Sequence, residues 1–497
     1  MLLLGLLARL CRLDLMLYDV DEGVASIYAL QFVGHGDVPL FGVRTSLGFY
    51  NPPLFIYLIA PAFLATKSPL FATAIIQCTN IGMIGLLTRR LWRSGWVWSC
   101  VALAVFACLS PGPLYLTNRL WGHALIPAFA IATFLLMLRC VENRNATWTW
   151  LLIPIAVSAA QQVHFSGALL LIDVVIGCGI LKLRPNWRYL LGGCGIASAS
   201  YVPYLIHEFR TGFVDLRAIA GTIGGSAAAS DHSAIWTAAM YSLSDFGGGT
   251  IFQEHYPEFV ATVPGYRAMR VILAFGFVLS VVIGLWRMLP SADTIESRRS
   301  NALLWLGFTW MVVPLLAFSV LKVVTVPAYW LIALPGPWII AAMALEALMQ
   351  YSPGRTWRWA GGVLLGVPVV VFFVYHHCYF TAVDKAVPHL IKYPTYRDQR
   401  DAVRYVCSDS FPKPVQLSQN NGTVGIDYQL LYLIAMYEGD TTRLRHPERE
   451  ARTMQHYTIN HHGRTIENVI GWERSEFGLL EVYKQPLPVP AGTPQTH

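Results

Sequence analysis

Long apolar runs recur through the first three quarters of the chain, each interrupted by a short group of Lys, Arg or polar residues. They fall at residues 69–88, 96–113, 121–139, 148–163, 165–181, 189–206, 267–286, 302–321, 328–349 and 359–380. About 17–25 predominantly apolar residues make a helix that crosses the bilayer hydrocarbon, so these runs predict spanning helices. An earlier run, "MLLLGLLARLCRLDLML", is short for a span and carries Arg9, Arg12 and Asp14. It has no evident small-residue cleavage site and reads as a first helix that is short or clipped by a late start.

The run "PPLFIYLIAPAFLA", Pro52 to Ala65, has the length of an interfacial or re-entrant helix. Charge parity decides its reading. If it does not span, Arg89, Arg90 and Arg93, then Arg139 and Arg144, then Lys182, Arg184 and Arg188, then Arg287, Arg298 and Arg299, then Arg355 and Arg358 all share one side. The positive-inside rule makes that side the cytoplasm and gives about eleven spans. Three larger segments then lie outside: a first loop over 18–68, a second over 207–266 and the tail after residue 380. The expected fold is a polytopic α-helical membrane protein over 1–380 with a small extracytoplasmic α/β domain over 381–497. In that tail "YRDQRDAVRYVCSD" and "IDYQLLYLIAMYEG" read as helices, "PVQLS" and "GLLEVYK" as strands.

Composition agrees. Of 497 residues, 55% are hydrophobic and only 13% charged, too few charges to solvate a soluble chain of this size. The net charge of +7 comes from loop clusters that set topology, so it does not indicate nucleic acid. The nine cysteines are scattered, mostly within apolar runs, which suits small core residues rather than a disulfide framework.

At the start of the first outer loop, "LYDVDEG" sets Asp19, Asp21 and Glu22 almost side by side where an apolar segment meets water. Acids end helices wherever they reach water, and that reading suffices for one acid. Three, followed by the interfacial pattern "GVASIYALQFVGHG", would hold carboxylates at the membrane plane beside apolar walls. Such surroundings raise a carboxylate's pKa and suit a general base.

The order "RLCRLD…YDVDEGVASIYALQFVGHGD…NPPLFIYLIAP" resembles the start of the polyprenyl-phosphate-dependent GT-C glycosyltransferases, a superfamily that includes protein O-mannosyltransferases and the lipid A aminoarabinose transferase. "SPGPLYLTNRLWGHALIPAFAIATFLLMLR", "QQVHFSGALLLI" and "VPAYWLIALPGPWIIAAM" resemble later helices and outer turns of the same group. The resemblance implies transfer of a sugar from a polyprenyl phosphate to an acceptor hydroxyl outside the cytoplasm, with inversion. It implies Asp21 as the base, Glu22 as its orienting neighbour, and a lipid, glycan or protein as acceptor. The leaving phosphate needs cationic donors in a water-poor place. The lipid A transferase has a Lys just before Pro-Pro-Leu, whereas this chain has Asn51.

The outer-face candidates for the phosphate are therefore Arg44, Arg119, His123, His164 and Lys322. Arg119 and His123 would share a face if that end is helical. Against each stands a plainer reading: an Arg at a membrane boundary snorkels, and a lone His packs or hydrogen-bonds. Lys322 stands out because it ends an apolar helix on the side depleted in positive charge.

"DVD" matches the Asp-x-Asp by which some sugar transferases hold a divalent metal, so Asp19 and Asp21 are the metal candidates; the Trp-Trp-Asp-Tyr-Gly that accompanies it in oligosaccharyl transferases is absent, and no cofactor is expected. "GGCG", Gly192 to Gly195, sits in an apolar run and reads as close helix packing. Asn145 and Asn421 lie in glycosylation sequons, the first on the expected cytoplasmic side. Asp173 lies mid-span and is the feature that favours the rival reading, a transporter or flippase. A third reading is an outer-face scaffold whose tail binds a partner. The expected location is the bacterial inner membrane, with the tail outside the cytoplasm.

Overall fold

The computed structural model describes residues 1–45, 47–143, 146–223, 232–244, 246, 263–288, 295–321, 327–351, 355–385, 394–408, 416–417, 428–438, 457–461, 473–477 and 480–484. Lys322, Arg144, both sequons' asparagines and most of the two glycine-rich stretches in the second loop lie outside them. The chain forms two compact units: Met1–Leu13 with Tyr28–Phe380, and Asp14–Ile27 with Thr381–His497.

Helices dominate. They are α1 (Leu2–Leu10), α2 (Val20–His35), α3 (Leu54–Thr66), α4 (Pro69–Trp92), α5 (Val97–Leu109), α6 (Pro111–Thr117), α7 (Ile126–Glu142), α8 (Thr147–Val163), α9 (Leu169–Ile180), α10 (Trp187–Ala199), α11 (Val202–Thr211) and α12 (Val214–Ile223). After them come α13 (His232–Ser244), α14 (Tyr266–Arg287), α15 (Ile295–Leu321), α16 (Pro335–Tyr351), α17 (Arg355–Asp384), α18 (Tyr396–Ser408) and α19 (Tyr428–Glu438). Among the described residues, Pro69–Trp92, Gly122–Glu142, Ala268–Arg287, Ser297–Val320 and Gly361–Asp384 are each long and apolar enough to cross a membrane. Two bent pairs, α5 with α6 and α10 with α11, bring the number to 7 if each is one span. Leu54–Thr66 and Phe165–Ile180 are apolar but shorter.

The bends have local causes. Pro111 and Pro203 open α6 and α11; proline has no N–H to continue the ladder of the helix before it. The α5–α6 break turns the chain by 51° and frees carbonyls at the end of α5. Free carbonyls in apolar surroundings must find donors. The buried Arg9 of α1 donates to Ala107 O at 3.2 Å and also to Cys108 O, and His376 Nε2 lies 2.9 Å from Leu109 O. Gly193 confirms the packing reading of "GGCG": a Cβ there would stand 2.3 Å from Leu151 O of α8.

The second unit holds a four-stranded sheet of β1 (Gln416–Leu417), β2 (Tyr457–His461), β3 (Glu473–Phe477) and β4 (Leu480–Lys484) in the order β1-β2-β4-β3. β1 and β2 are parallel; β4 is antiparallel to β2 and β3. The predicted helices and two predicted strands of the tail appear as α18, α19, β1 and β4, while β2 and β3 carry little alternation and went unpredicted. Asp14–Ile27, counted with 1–380 in the sequence reading, clusters here. Leu17 bridges Thr395, the Tyr396 N–H donates to Met16 O at 2.9 Å, and Gln399 Nε2 donates to Tyr18 O. Tyr18 is buried against Tyr396, with ring centroids 5.3 Å apart, and against Tyr432.

Candidate active site

In the first unit the candidate residues gather around a hairpin and two facing turns. Residues 42–51 double back: Thr45 N–H donates to Phe49 O at 2.7 Å and Gly42 N–H to Asn51 O at 2.7 Å. Asn51 is 7% exposed, and both ends of its amide are hydrogen-bonded. Its Nδ2 donates to Val43 O at 3.0 Å and its Oδ1 accepts the Phe165 N–H at 3.1 Å. It therefore ties the hairpin to the turn after α8. Arg44 stays exposed on the hairpin, its Nε donating to Gly48 O at 3.1 Å and its guanidinium 5.9 Å from the Tyr50 ring.

The chain between α6 and α7 is not helical from 118 to 121, so Arg119 and His123 do not share a helix face as the spacing had allowed. They meet through Trp121 instead. The Arg119 guanidinium lies 3.9 Å from the Trp121 ring, and Trp121 lies 4.4 Å from His123. His123 sits in a 3-10 turn, Gly122–Leu125, pressed against the end of α8: a Cβ on Gly122 would fall 2.0 Å from Val163 O. Only glycine permits that approach, and it brings the His123 ring to 3.5 Å from His164. Tyr329 stacks on His123 at 5.4 Å and lies 5.2 Å from His164.

His164 accepts the Ser166 N–H on Nδ1 at 3.2 Å, with Ser166 Oγ at 2.9 Å from the same nitrogen. A neutral imidazole that accepts on Nδ1 carries its proton on Nε2. His123 Nε2 is buried with no hydrogen-bond partner among the described residues. The His164 side of this cluster opens on a cavity of ≈ 190 Å³ whose wall includes Thr45, Phe49, Ser166, Phe318 and Tyr329. The cluster thus offers an N–H donor and an unpartnered ring nitrogen beside apolar walls, surroundings in which hydrogen bonds to an anion are strong.

In the second unit the three acids open α2. Asp19 is its N-cap residue: its Oδ1 accepts the Val20 N–H at 2.9 Å, and its own N–H donates to Glu22 Oε2 at 3.0 Å. Glu22 is wholly buried, and the pair forms one half of a capping box. Ser26 Oγ donates to Glu22 O at 2.7 Å and accepts from the Tyr18 hydroxyl at 3.0 Å. Burial, then the Tyr432 phenol, hold the Tyr18 phenol well above its usual range, so it stays a donor. Asp21 is half-buried at the second helical position, where the helix dipole favours a negative charge. Asp19 and Asp21 do not belong to any three-residue metal-ligating group among the described residues.

No protein-family model matches the chain, and no curated protein matches it. Solved structures do. ArnT from Cupriavidus metallidurans bound to undecaprenyl phosphate superposes with a TM-score of 0.54 at 13% identity, over 99% of this chain and 98% of its own. The same protein in the apo state gives 0.53 at 13% identity, over 97% and 96%. At this identity the likeness is one of fold: the chain folds as ArnT does. The Archaeoglobus fulgidus oligosaccharyltransferase tethered with an acceptor peptide is a more distant likeness, with a TM-score of 0.46 at 11% identity over 93% of this chain and 68% of its own. Among the described residues, the long apolar helices are those of a chain that crosses a membrane several times.

Residue by residue, the sequence reading missed Tyr329, Trp121, Ser166 and Asn51 as parts of the cluster. "WGH" and "VHFSG" each combine a ring, a His and a glycine, and that repetition was the available signal.

Proposed function

We propose that this chain moves a sugar from a polyprenyl phosphate to an acceptor hydroxyl on the extracytoplasmic side of a membrane, with inversion. The observation that carries the reading is a fold likeness running the full length of both chains to ArnT, which was crystallised with undecaprenyl phosphate. The acceptor oxygen attacks the anomeric carbon, the bond from that carbon to the phosphate oxygen breaks, and the polyprenyl phosphate leaves with the electron pair. Asp21 takes the acceptor's proton. Glu22 acts indirectly, holding the first turn of α2 and so the carboxylate beside it. Arg44, Arg119 and Lys322 supply positive charge for the leaving phosphate, and His123 and His164 supply ring nitrogens; such groups act most strongly where water is scarce.

About eleven spans, a tail that forms an α/β domain outside the cytoplasm and a bacterial inner-membrane location belong to the same proposal. The partners are the lipid-linked donor, membrane lipid and a lipid, glycan or protein acceptor, and no nucleic acid. The reaction as written needs no cofactor or metal.

Purified protein given a polyprenyl-phosphate sugar should release polyprenyl phosphate and glycosylate an acceptor, and Asp21→Asn should abolish transfer with thermal stability retained. Full activity in Asp21→Asn removes Asp21 as the base. One observation favours the transporter reading: Asp173 is buried in α9 and neither carboxylate oxygen has a hydrogen-bond partner among the described residues. Substrate flux in proteoliposomes that is lost in Asp173→Asn and unchanged in Asp21→Asn would establish it instead.

A further inference from the structure

We infer that His207, Glu208 and Asp215 form a site for a divalent transition metal of the zinc class, and that the metal serves to brace the outer hairpin. The site stands apart from the reaction proposed above and holds whether or not the chain transfers sugar.

Chain reversal builds it. The helix α11 ends at Gly212, whose φ of 70° is left-handed, and Phe213 follows at φ 63°. Glycine reaches that region at little cost, whereas a bulky residue does not, so Phe213 is held there by its surroundings. The two residues turn the chain at once into α12 and bring Asp215 back over His207 and Glu208. One ligand atom from each of the three lies within 4.8 Å of the others.

The turn buries two acidic side chains side by side. Glu208 is 0% exposed and Asp215 is 2% exposed, so two carboxylates are buried together. His207 Nε2 lies 3.3 Å from Asp215 Oδ2, and the Tyr204 hydroxyl donates to the same oxygen at 3.3 Å. Glu208 Oε2 accepts the Leu216 N–H at 3.3 Å. Glu208 Oε1 is buried and has no hydrogen-bond partner among the described residues. The His207–Asp215 contact leaves that oxygen unsatisfied, and an unsatisfied polar atom is costly in a buried place.

One pair of ligands already has the spacing of a small tetrahedral ion, and the third ligand lies within 4.8 Å of both. With metal–ligand distances of about 2.0–2.2 Å, the edge between two ligands is about 3.3–3.6 Å. The His207–Asp215 separation already has that length. One imidazole with two carboxylates suits Zn²⁺ far better than Mg²⁺ or Ca²⁺, which take all-oxygen shells. His207 is partly exposed, and that leaves a way in for the ion.

The ion would act on the hairpin. The His207 ring packs on Phe41 at 4.6 Å and on Tyr50 at 5.9 Å, and the Tyr204 hydroxyl also reaches Tyr50 O at 3.1 Å. Fixing His207 and Asp215 therefore fixes the base of residues 42–51. A metal that holds a fold in this way adds its binding free energy to stability.

Full-length protein in detergent, stripped with a chelator, reloaded with ZnCl₂ and desalted, should retain one zinc per chain by elemental mass spectrometry. His207→Gln and Asp215→Asn should lower that at least about tenfold, and the rise in melting temperature that zinc gives the parent protein should vanish in both. Where one variant is not monodisperse, Glu208→Gln supplies the same reading with the shape kept. Co²⁺ in place of zinc should give visible absorption bands that are lost in His207→Gln. Parent protein that keeps less than about a tenth of an equivalent, folded variants that keep the parent's stoichiometry, or a preference for Mg²⁺ would each overturn the proposal.

Discussion

The rings of His123 and His164 lie 3.5 Å apart and inclined by 34°, although one belongs to the turn before α7 and the other to the end of α8. Neither helix alone makes the pair. Gly122 allows the approach, Tyr329 covers both rings, and Ser166 sets which nitrogen of His164 carries hydrogen.

The two rings should separate chemistry from packing. His123→Phe keeps the stack on Tyr329 and removes the ring nitrogens. Transfer of sugar should fall by about 100-fold or more, as on removal of one transition-state donor, with little change in melting temperature. His164→Phe also removes the acceptor of the Ser166 N–H, so it should lower both activity and melting temperature. Equal activity in parent and His123→Phe would leave the pair a packing feature.

Asn51 should behave as a structural residue despite its place before Pro52 and Pro53. Asn51→Leu keeps the volume but removes the bond to Val43 O and the acceptor of the Phe165 N–H. Val43 O keeps the backbone N–H of residue 51, so the cost is mainly that of the stranded Phe165 N–H, about 1–3 kcal/mol, and the melting temperature should fall. Asn51→Lys should fall further, because a cation would have to be placed at a site only 7% exposed. A Lys variant as stable as the parent would show that the hairpin can open to water there.

Arg9 should be worth more than its place in a nine-residue apolar helix suggests. Its guanidinium serves the carbonyls of Ala107 and Cys108 where α5 breaks before Pro111. Arg9→Met keeps much of the apolar stem and strands those carbonyls in apolar surroundings. The expected cost is about 1–3 kcal/mol for each carbonyl left without a donor, seen as poor recovery of monodisperse protein and a lower melting temperature. Arg12→Met, for comparison, removes a partly exposed charge and should be far milder.

What the sequence shows well is what lipid demands of it. An apolar stretch near twenty residues has few alternatives, so Pro69–Trp92, Gly122–Glu142 and Gly361–Asp384 lie where the runs predicted them. Breaks were harder to read: proline in an apolar run can sit in a kinked helix or end it, and Pro111 ends one where Pro154, Pro314 and Pro368 do not. The site was legible as a set of residue types and not as an arrangement. Arg119 and His123 looked like helix neighbours, yet a bend at 118–121 makes Trp121 their link. His207, Glu208 and Asp215 were invisible because a left-handed turn at Gly212, which no periodicity announces, is what gathers them. In "DVDE" the plain helix-capping reading and the catalytic one divide by residue: Asp19 and Glu22 cap α2, and Asp21 is left to carry the proposed chemistry.

That division predicts different losses for the two neighbouring acids. Glu22→Ala removes the acceptor of the Asp19 N–H, and loss of such a cap costs about 1 kcal/mol. Its transfer activity should fall in step with stability and return at lower temperature. Asp21→Asn should keep its stability and stay inactive at every temperature.

A second cap in the same unit should show itself through pH. Thr395 and Asp398 are paired at the start of α18: the Asp398 N–H donates to Thr395 Oγ1 at 3.2 Å, and the Thr395 N–H donates to Asp398 Oδ2 at 3.0 Å. Burial raises the Asp398 carboxyl above its ordinary value, and the bonds from Thr395 and the charge of Arg397 offset only part of that rise. The folded state therefore holds this proton more tightly than the unfolded state does. Its contribution is fully present below the unfolded value, about pH 4, and is lost as pH rises through the raised folded value. Hydrogen-exchange protection of α18, corrected for intrinsic rates, should decline over that window. Asp398→Asn should flatten the decline, since an amide can still accept the Thr395 N–H and has no proton to lose. A slope identical in parent and variant would assign the pH dependence to other acids of the unit.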